Sequence, residues 1–179
     1  MSASTIPMTM GTTNVWQLGT ALLRLSPLVL SSASVMFSFA QDCSLGAFVH
    51  ESLRKDAAHP SGKILPRYLP AFMNPGIWGI GVTFLPATIL CVINGLGTQS
   101  VDARNLYWAG AVFSIAHFCW GPTMFAILAR IGDADTAGAP NEKAMEEWLP
   151  KHRARTFLVN IPAFLCILGA SLVIVTNGV

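Results

Sequence analysis

The chain has 179 residues, 53% of them hydrophobic and 11% charged, with a net charge of +2 at pH 7. Soluble domains carry about 25% charged residues, so this composition points to a protein of the lipid phase rather than of water. The length is that of one domain. The small net charge, without a basic stripe interleaved with aromatics, excludes a nucleic-acid module.

The first residues, Met1–Gln17, are polar and hold no Lys or Arg. With no basic n-region there, Met1–Leu18 reads as a short arm with a partial helix near Val15–Leu18, and the first apolar segment reads as an uncleaved insertion signal. Four apolar segments follow, at about 22–49, 69–96, 106–131 and 156–175, each long enough to cross a hydrocarbon core of about 30 Å. Pro27, Pro70 and Pro122 lie in or at the start of these spans. Such prolines are tolerated where neighbouring helices re-satisfy the freed backbone groups. The connection 97–105 is short, so the second and third spans are expected to be antiparallel neighbours. The predicted fold is all-α: one integral membrane domain forming a four-helix bundle, up-down-up-down.

Orientation follows from the positive charges. Arg54, Lys55, Lys63, Arg67, Arg130, Lys143, Lys151, Arg153 and Arg155 fall on the first and third connections and their flanks, nine of the eleven Lys and Arg residues. The positive-inside rule puts that side in the cytosol and both termini on the non-cytosolic side.

Several polar residues then share the cytosolic half. Asp42 lies well inside the first span, where a carboxylate costs about 2.5–3.5 kcal/mol on insertion scales, so it is expected to face the bundle interior. It reads either as a proton acceptor or as a structural interhelical bond. His50 follows two turns later, near the same face. Arg67 and Tyr68 open the second span, with Asn74 within two turns. His117 and Trp120 sit about mid-span on the third. The last span opens on Trp148-Leu149-Pro150-Lys151-His152-Arg153-Ala154-Arg155 and runs on to Asn160. His152 and Arg155, at i and i+3, share a helical face, while Lys151 and Arg153 read as interfacial anchors. His59, in a Pro/Gly loop, reads as inert.

Other chemistries find no motif. Cys43, Cys91, Cys119 and Cys166 each occupy a different apolar segment without CxxC spacing, which implies neither zinc nor a disulfide framework. HExxH, ExxH pairs, GxGxxG, a P-loop and GxSxG are all absent, so no metal, nicotinamide, flavin or nucleotide is expected. An imidazole, by contrast, titrates near neutral pH and suits general base work.

A Trp-x3-His-x2-Arg opening to the last of four spans, here Trp148, His152 and Arg155, resembles the small fungal membrane proteins of the anthrone oxygenase-like family. Ser32-Ala33-Ser34-Val35-Met36-Phe37-Ser38 is similar to the family's small-residue segment in the first span, and Gly121-Pro122-Thr123 to its small-Pro-Thr segment in the third. Two features depart from the family. The run Pro66–Asn74 keeps Tyr68 but has no histidine, and Met124 stands where Asn often follows Pro-Thr.

The resemblance implies a cofactor-independent oxygenase of secondary metabolism, which turns an anthrone-like phenol of polyketide origin into a quinone. His152 would be the base or acid, Arg155 would stabilise the oxyanion, and His50 or Asp42 would relay protons. His117, Trp120, Asn74, Tyr68, Arg67, Asn160 and Trp148 would line the substrate site. The hydrophobic substrate would enter from the bilayer, that of the endoplasmic reticulum or another endomembrane. A redox-neutral cyclase or isomerase, working with the same groups, and a non-enzymatic membrane scaffold are the alternatives. Homo-oligomerisation is left open.

Overall fold

The computed structural model describes residues 15–55 and 61–177. Most of the expected N-terminal arm (1–14) and His59 lie outside this range. The described chain is helical throughout and holds no strand. Its helices are α1 (Val15–Gly46), a 3-10 turn (Ala47–Val49), α2 (Glu51–Arg54), α3 (Ser61–Gly97), α4 (Val101–Cys119), α5 (Gly121–Ile131), α6 (Ala139–Arg155), a π-helical turn (Thr156–Asn160) and α7 (Ile161–Asn177). Among the described residues, four helical stretches are long and apolar enough to cross a membrane: 15–49, 61–97, 101–131 and 139–177. The packing is a ring in which α1 touches α3 and α7, and α4 touches α3 and α7.

The face that α1 turns inward is made of small polar residues. Pro27, Ser31, Ser34, Ser38, Gln41 and Leu45 are its buried positions, spaced alternately four and three apart, which keeps them on one helical face. Serine is cheap to bury here because its hydroxyl bonds back one turn. Ser34 Oγ donates to the Leu30 carbonyl at 3.0 Å and Ser38 Oγ to the Ser34 carbonyl at 3.0 Å. Val29 and Met36, on the opposite face, are exposed, as a lipid-facing surface requires. Pro27 has no N–H, so the Leu23 carbonyl one turn earlier loses its helical donor. Asn94 Nδ2 of α3 supplies one at 2.9 Å, which joins the two helices at that end.

Two expectations about element boundaries differ from the structure. The second apolar segment begins earlier than residue 69: α3 starts at Ser61 and has 37 residues, about 55 Å at 1.5 Å per residue, so its first turns project beyond a ~30 Å apolar layer. Glu142 Oε1 of α6 accepts from Ser61 Oγ at 2.6 Å and from the Gly62 N–H at 2.8 Å, capping that projecting end. Gly62 must be glycine there, because a Cβ would lie 2.2 Å from the Gly138 carbonyl oxygen.

The third segment is not one helix. α4 stops at Cys119 and α5 starts at Gly121, with Pro122, which cannot donate a backbone bond, placed in the first turn of α5. The third connection is mostly helix. α6 begins at Ala139 and continues through the π turn into α7. Asn141, fully buried, closes the α5–α6 corner by donating to the carbonyls of Arg130, Ile131 and Asp133 at 2.9–3.0 Å.

The π turn itself has a local cause. Pro162 withholds a donor from the Leu158 carbonyl and its ring crowds that group. The backbone widens instead, and the Ile161 N–H reaches the Thr156 carbonyl five residues back. Such widened turns occur often at functional sites. Two apolar clusters flank this level of the bundle. One gathers Leu45, Leu65, Leu69, Met124, Ile127, Met145 and Trp148. The other gathers Cys91, Tyr107, Ala111, Ile167 and Ala170. His117 on α4, and His152, Arg155, Thr156 and Asn160 along the α6–α7 helix, are buried polar residues that fall between the two in sequence.

Candidate functional site

The polar layer starts at Ser38. Its hydroxyl proton goes to the Ser34 carbonyl, so Ser38 Oγ can only accept from other groups, and Asn160 Nδ2 donates to it at 2.9 Å. That fixes the Asn160 amide, leaving Oδ1 to face His117 Nδ1 at 2.9 Å. Since Oδ1 only accepts, the His117 proton sits on Nδ1 and its Nε2 is the free lone pair. Phe84 stacks on the His117 ring with centroids 3.8 Å apart, which holds the plane of the imidazole. The ring is 5% exposed.

A second histidine is committed on both sides. His152 Nε2 lies 3.0 Å from the Ser38 carbonyl oxygen. A carbonyl only accepts, so Nε2 carries the proton. Its Nδ1 accepts from Arg155 Nη2 at 3.0 Å. Trp148 stacks on the same ring with centroids 4.4 Å apart. His152 is thus a neutral, fully buried bracket that sets the guanidinium of Arg155 and the indole of Trp148 around itself. Helical spacing makes this possible: residues 148, 152 and 155 are one turn apart on one face.

Of these groups, His117, Trp148 and Arg155 line a cavity of about 270 Å³. Its polar lining is Gln41, His117, Trp148 and Arg155, and the remainder is apolar, including Met73, Ile77, Met124 and Phe125. Ile77 of α3, Phe118 of α4 and Phe125 of α5, three of its lining residues, are exposed. Two of its lining residues each carry a donor that is buried without a partner among the described residues: Trp148 Nε1 and Arg155 Nε. Most buried polar groups in folded proteins are paired, so two orphans on one cavity single it out. No group of three His, Cys, Asp or Glu residues is arranged to hold a metal ion among the described residues.

The structure brings His117, Trp148, His152, Arg155 and Asn160 together and leaves the other sequence-selected residues elsewhere. Asp42 does not face His50 or His117. It takes Arg153 Nε at 2.7 Å at the rim of the bundle, with 28% of its side chain exposed. Pairing explains how a carboxylate is tolerated within a span. His50 is exposed and caps the short helix α2, its Nδ1 accepting from the Ser52 N–H. Arg67 and Asn74 are exposed on α3. Tyr68 stacks on Phe72 and meets Phe48 at a tilt, and Trp120 packs half-buried on the first apolar cluster. The sequence reading missed Ser38 and Gln41 as site residues. The alternating three-and-four spacing of small polar residues along α1 is the signal that could have found both.

Two curated proteins align with most of the chain. The "Probable epoxidase scpX" of Mollisia scopiformis is 29% identical over 159 residues, 84% of this chain and 94% of that protein. The "Epoxidase pydX" of an Acremonium species is 28% identical over 160 residues, 84% of this chain and 93% of that protein. No family model matches the chain, and no solved structure matches it. The similarity is consistent with an oxygenase-like, oxidative enzyme. It gives the anthrone oxygenase-like family no direct support by name.

Proposed function

We propose that this chain is a membrane-embedded oxygenase that transfers one atom of O₂ to a hydrophobic phenol or enol, without an external reductant. The observation that carries the reading is the free Nε2 of His117, a ring nitrogen fixed by Asn160 on the wall of a largely apolar cavity. The likeness to two proteins named as epoxidases favours oxygen transfer over the redox-neutral alternative.

In this scheme His117 accepts the proton of the substrate's phenol or acidic C–H. Proton transfer to a positioned base contributes about 10²–10⁴-fold to a rate. The resulting anion reduces O₂ and recombines with it, forming a C–O bond. The O–O bond then breaks. One oxygen atom stays on the substrate, as an epoxide or a ketone, and the other leaves as water. The electron count closes on the substrate alone. A hydroquinone gives two electrons in becoming a dicarbonyl and two in becoming an epoxide, and its two hydroxyl protons end in water. An anthrone-like CH₂ gives all four from one carbon. His152 is a positioning residue in this account, because both of its nitrogens are occupied.

We place the chain in an endomembrane, with the two connections that, with their flanks, carry nine of the eleven Lys and Arg residues on the cytosolic face, and the cavity open to the bilayer. An apolar substrate then arrives by partition rather than through water. The test compares purified wild-type protein with His117→Phe, which preserves the ring stack on Phe84 but removes the base. With an alkylated hydroquinone as substrate, the variant should lose turnover by at least about 100-fold. Retained turnover in a correctly folded His117→Phe protein would refute the role of His117.

A further inference from the structure

We infer that the cavity binds its substrate as an oxyanion, a phenolate or enolate whose oxygen takes both Arg155 Nε and Trp148 Nε1. This deepens the proposed function and rests on it for the substrate's chemistry, but its evidence is separate. Both N–H groups are buried without a partner among the described residues, and both residues line the same cavity. Arg155 is 6% exposed and Trp148 1%. His152 fixes the two relative to each other, stacked on one and bonded to the other.

Charge selects an anion over a neutral carbonyl. The cavity wall carries no Asp or Glu. The acids nearby in the chain already have partners: Asp42 holds Arg153, Glu146 holds Arg54, Glu147 holds Lys151 and Arg130, and Glu142 caps α3. Arg155 is therefore a buried cation with no carboxylate against it. Such a charge is costly until an opposite charge arrives, and hydrogen bonds to a charged partner are the strong ones. The rest of the wall, Met73, Ile77, Met124 and Phe125, favours an anion that spreads its charge over an apolar ring. A phenolate or enolate meets both demands. The same two donors would hold the developing negative charge during attack on O₂, without reorganising.

The test uses 4-nitro-1-naphthol, a hydrophobic probe whose anion absorbs in the visible and whose nitro group makes it too electron-poor to be oxygenated. Its ionisation is followed by absorbance in detergent micelles, with and without excess protein. Wild-type protein should favour the anion at least tenfold, lowering the midpoint by about one pH unit or more. Arg155→Gln should abolish the shift, and Trp148→Phe should weaken anion binding several-fold while the cation remains. Arg153→Gln, which changes the same charge at the rim, should leave the shift intact.

An unshifted midpoint with bound probe, a shift that survives Arg155→Gln, or the absence of saturable binding would each overturn the assignment. Displacement of the probe by a saturated fatty acid at lower concentration than by an unsubstituted naphthol would make this a carboxylate site instead. The two claims can fail apart. Anion binding without oxygen uptake would remove the proposed reaction and keep this site, and oxygen uptake without anion binding would do the reverse.

Discussion

Asn160→Leu isolates the base from the scaffold. The substitution is close to isosteric and removes two bonds at once, the 2.9 Å contact to His117 Nδ1 and the 2.9 Å contact to Ser38 Oγ. Ser38 keeps its bond to the Ser34 carbonyl, so only His117 is left with a stranded N–H. In water-soluble proteins a stranded buried donor costs about 1–3 kcal/mol. Interhelical side-chain bonds in membranes average nearer 0.6 kcal/mol, because the separated helices also find partners. The stability loss should therefore be about 1 kcal/mol, too small to unfold the bundle.

Catalysis should respond far more. Without an acceptor at Nδ1, the His117 proton can shift to Nε2 and block the atom that faces the cavity. Most of the general-base contribution, about 10²–10⁴-fold, is then at risk. The expected result is a kcat at least about 30-fold lower with KM little changed, since the apolar contacts that bind substrate remain. Initial rates across a range of substrate concentrations, beside thermal unfolding in detergent, read both quantities. A kcat within about twofold of wild type, or a rate loss no larger than the loss of folded protein, would refute the assignment of His117 as base.

Three further outcomes follow from the same geometry. Asp42→Asn breaks the rim pair with Arg153; partly exposed pairs contribute about 0–1 kcal/mol, so turnover should stay near wild type, whereas a catalytic Asp42 would lose activity outright. His50→Ala removes the cap of α2 and should cost about 0.5–2 kcal/mol at most, read as a lower melting temperature with unchanged kcat. Gly110→Val drives a branched side chain into Ile167, since even a Cβ at that position would lie 2.8 Å from Ile167 Cγ1. Separating α4 from α7 should cost about 1–3 kcal/mol or more, seen in the unfolding midpoint in detergent.

The four apolar segments were legible because length and composition alone determine what can cross lipid. Their interruptions were harder. Pro122 was visible in the sequence, but whether it kinks a helix or starts a new one depends on whether Trp120 can turn back onto the His117 carbonyl, as it does at 3.3 Å. Pro162 widens its helix instead, and no periodicity announces a π turn.

The face shared by Trp148, His152 and Arg155 followed from helical spacing. Roles did not, because they depend on which nitrogen is already bonded. His152 looked the better base and is occupied on both sides, whereas His117, on a neighbouring helix, keeps one nitrogen free. The cost of burying a charge argues from sequence for an inward-facing Asp42. Arg153, an interfacial anchor by its position in the sequence, resolves that cost at the rim, a partnership between residues 111 positions apart.

The central claim, oxygen transfer driven by electrons from the substrate itself, is tested most directly by isotope labelling. Purified protein in detergent is given an alkylated hydroquinone under ¹⁸O₂, with no reductant and no added cofactor, and product and water are analysed by mass spectrometry. One labelled atom in the product and one in water per turnover, with no conversion when O₂ is withheld, is the predicted result. Full conversion under anaerobic conditions, or a product whose new oxygen comes from unlabelled water, would contradict it.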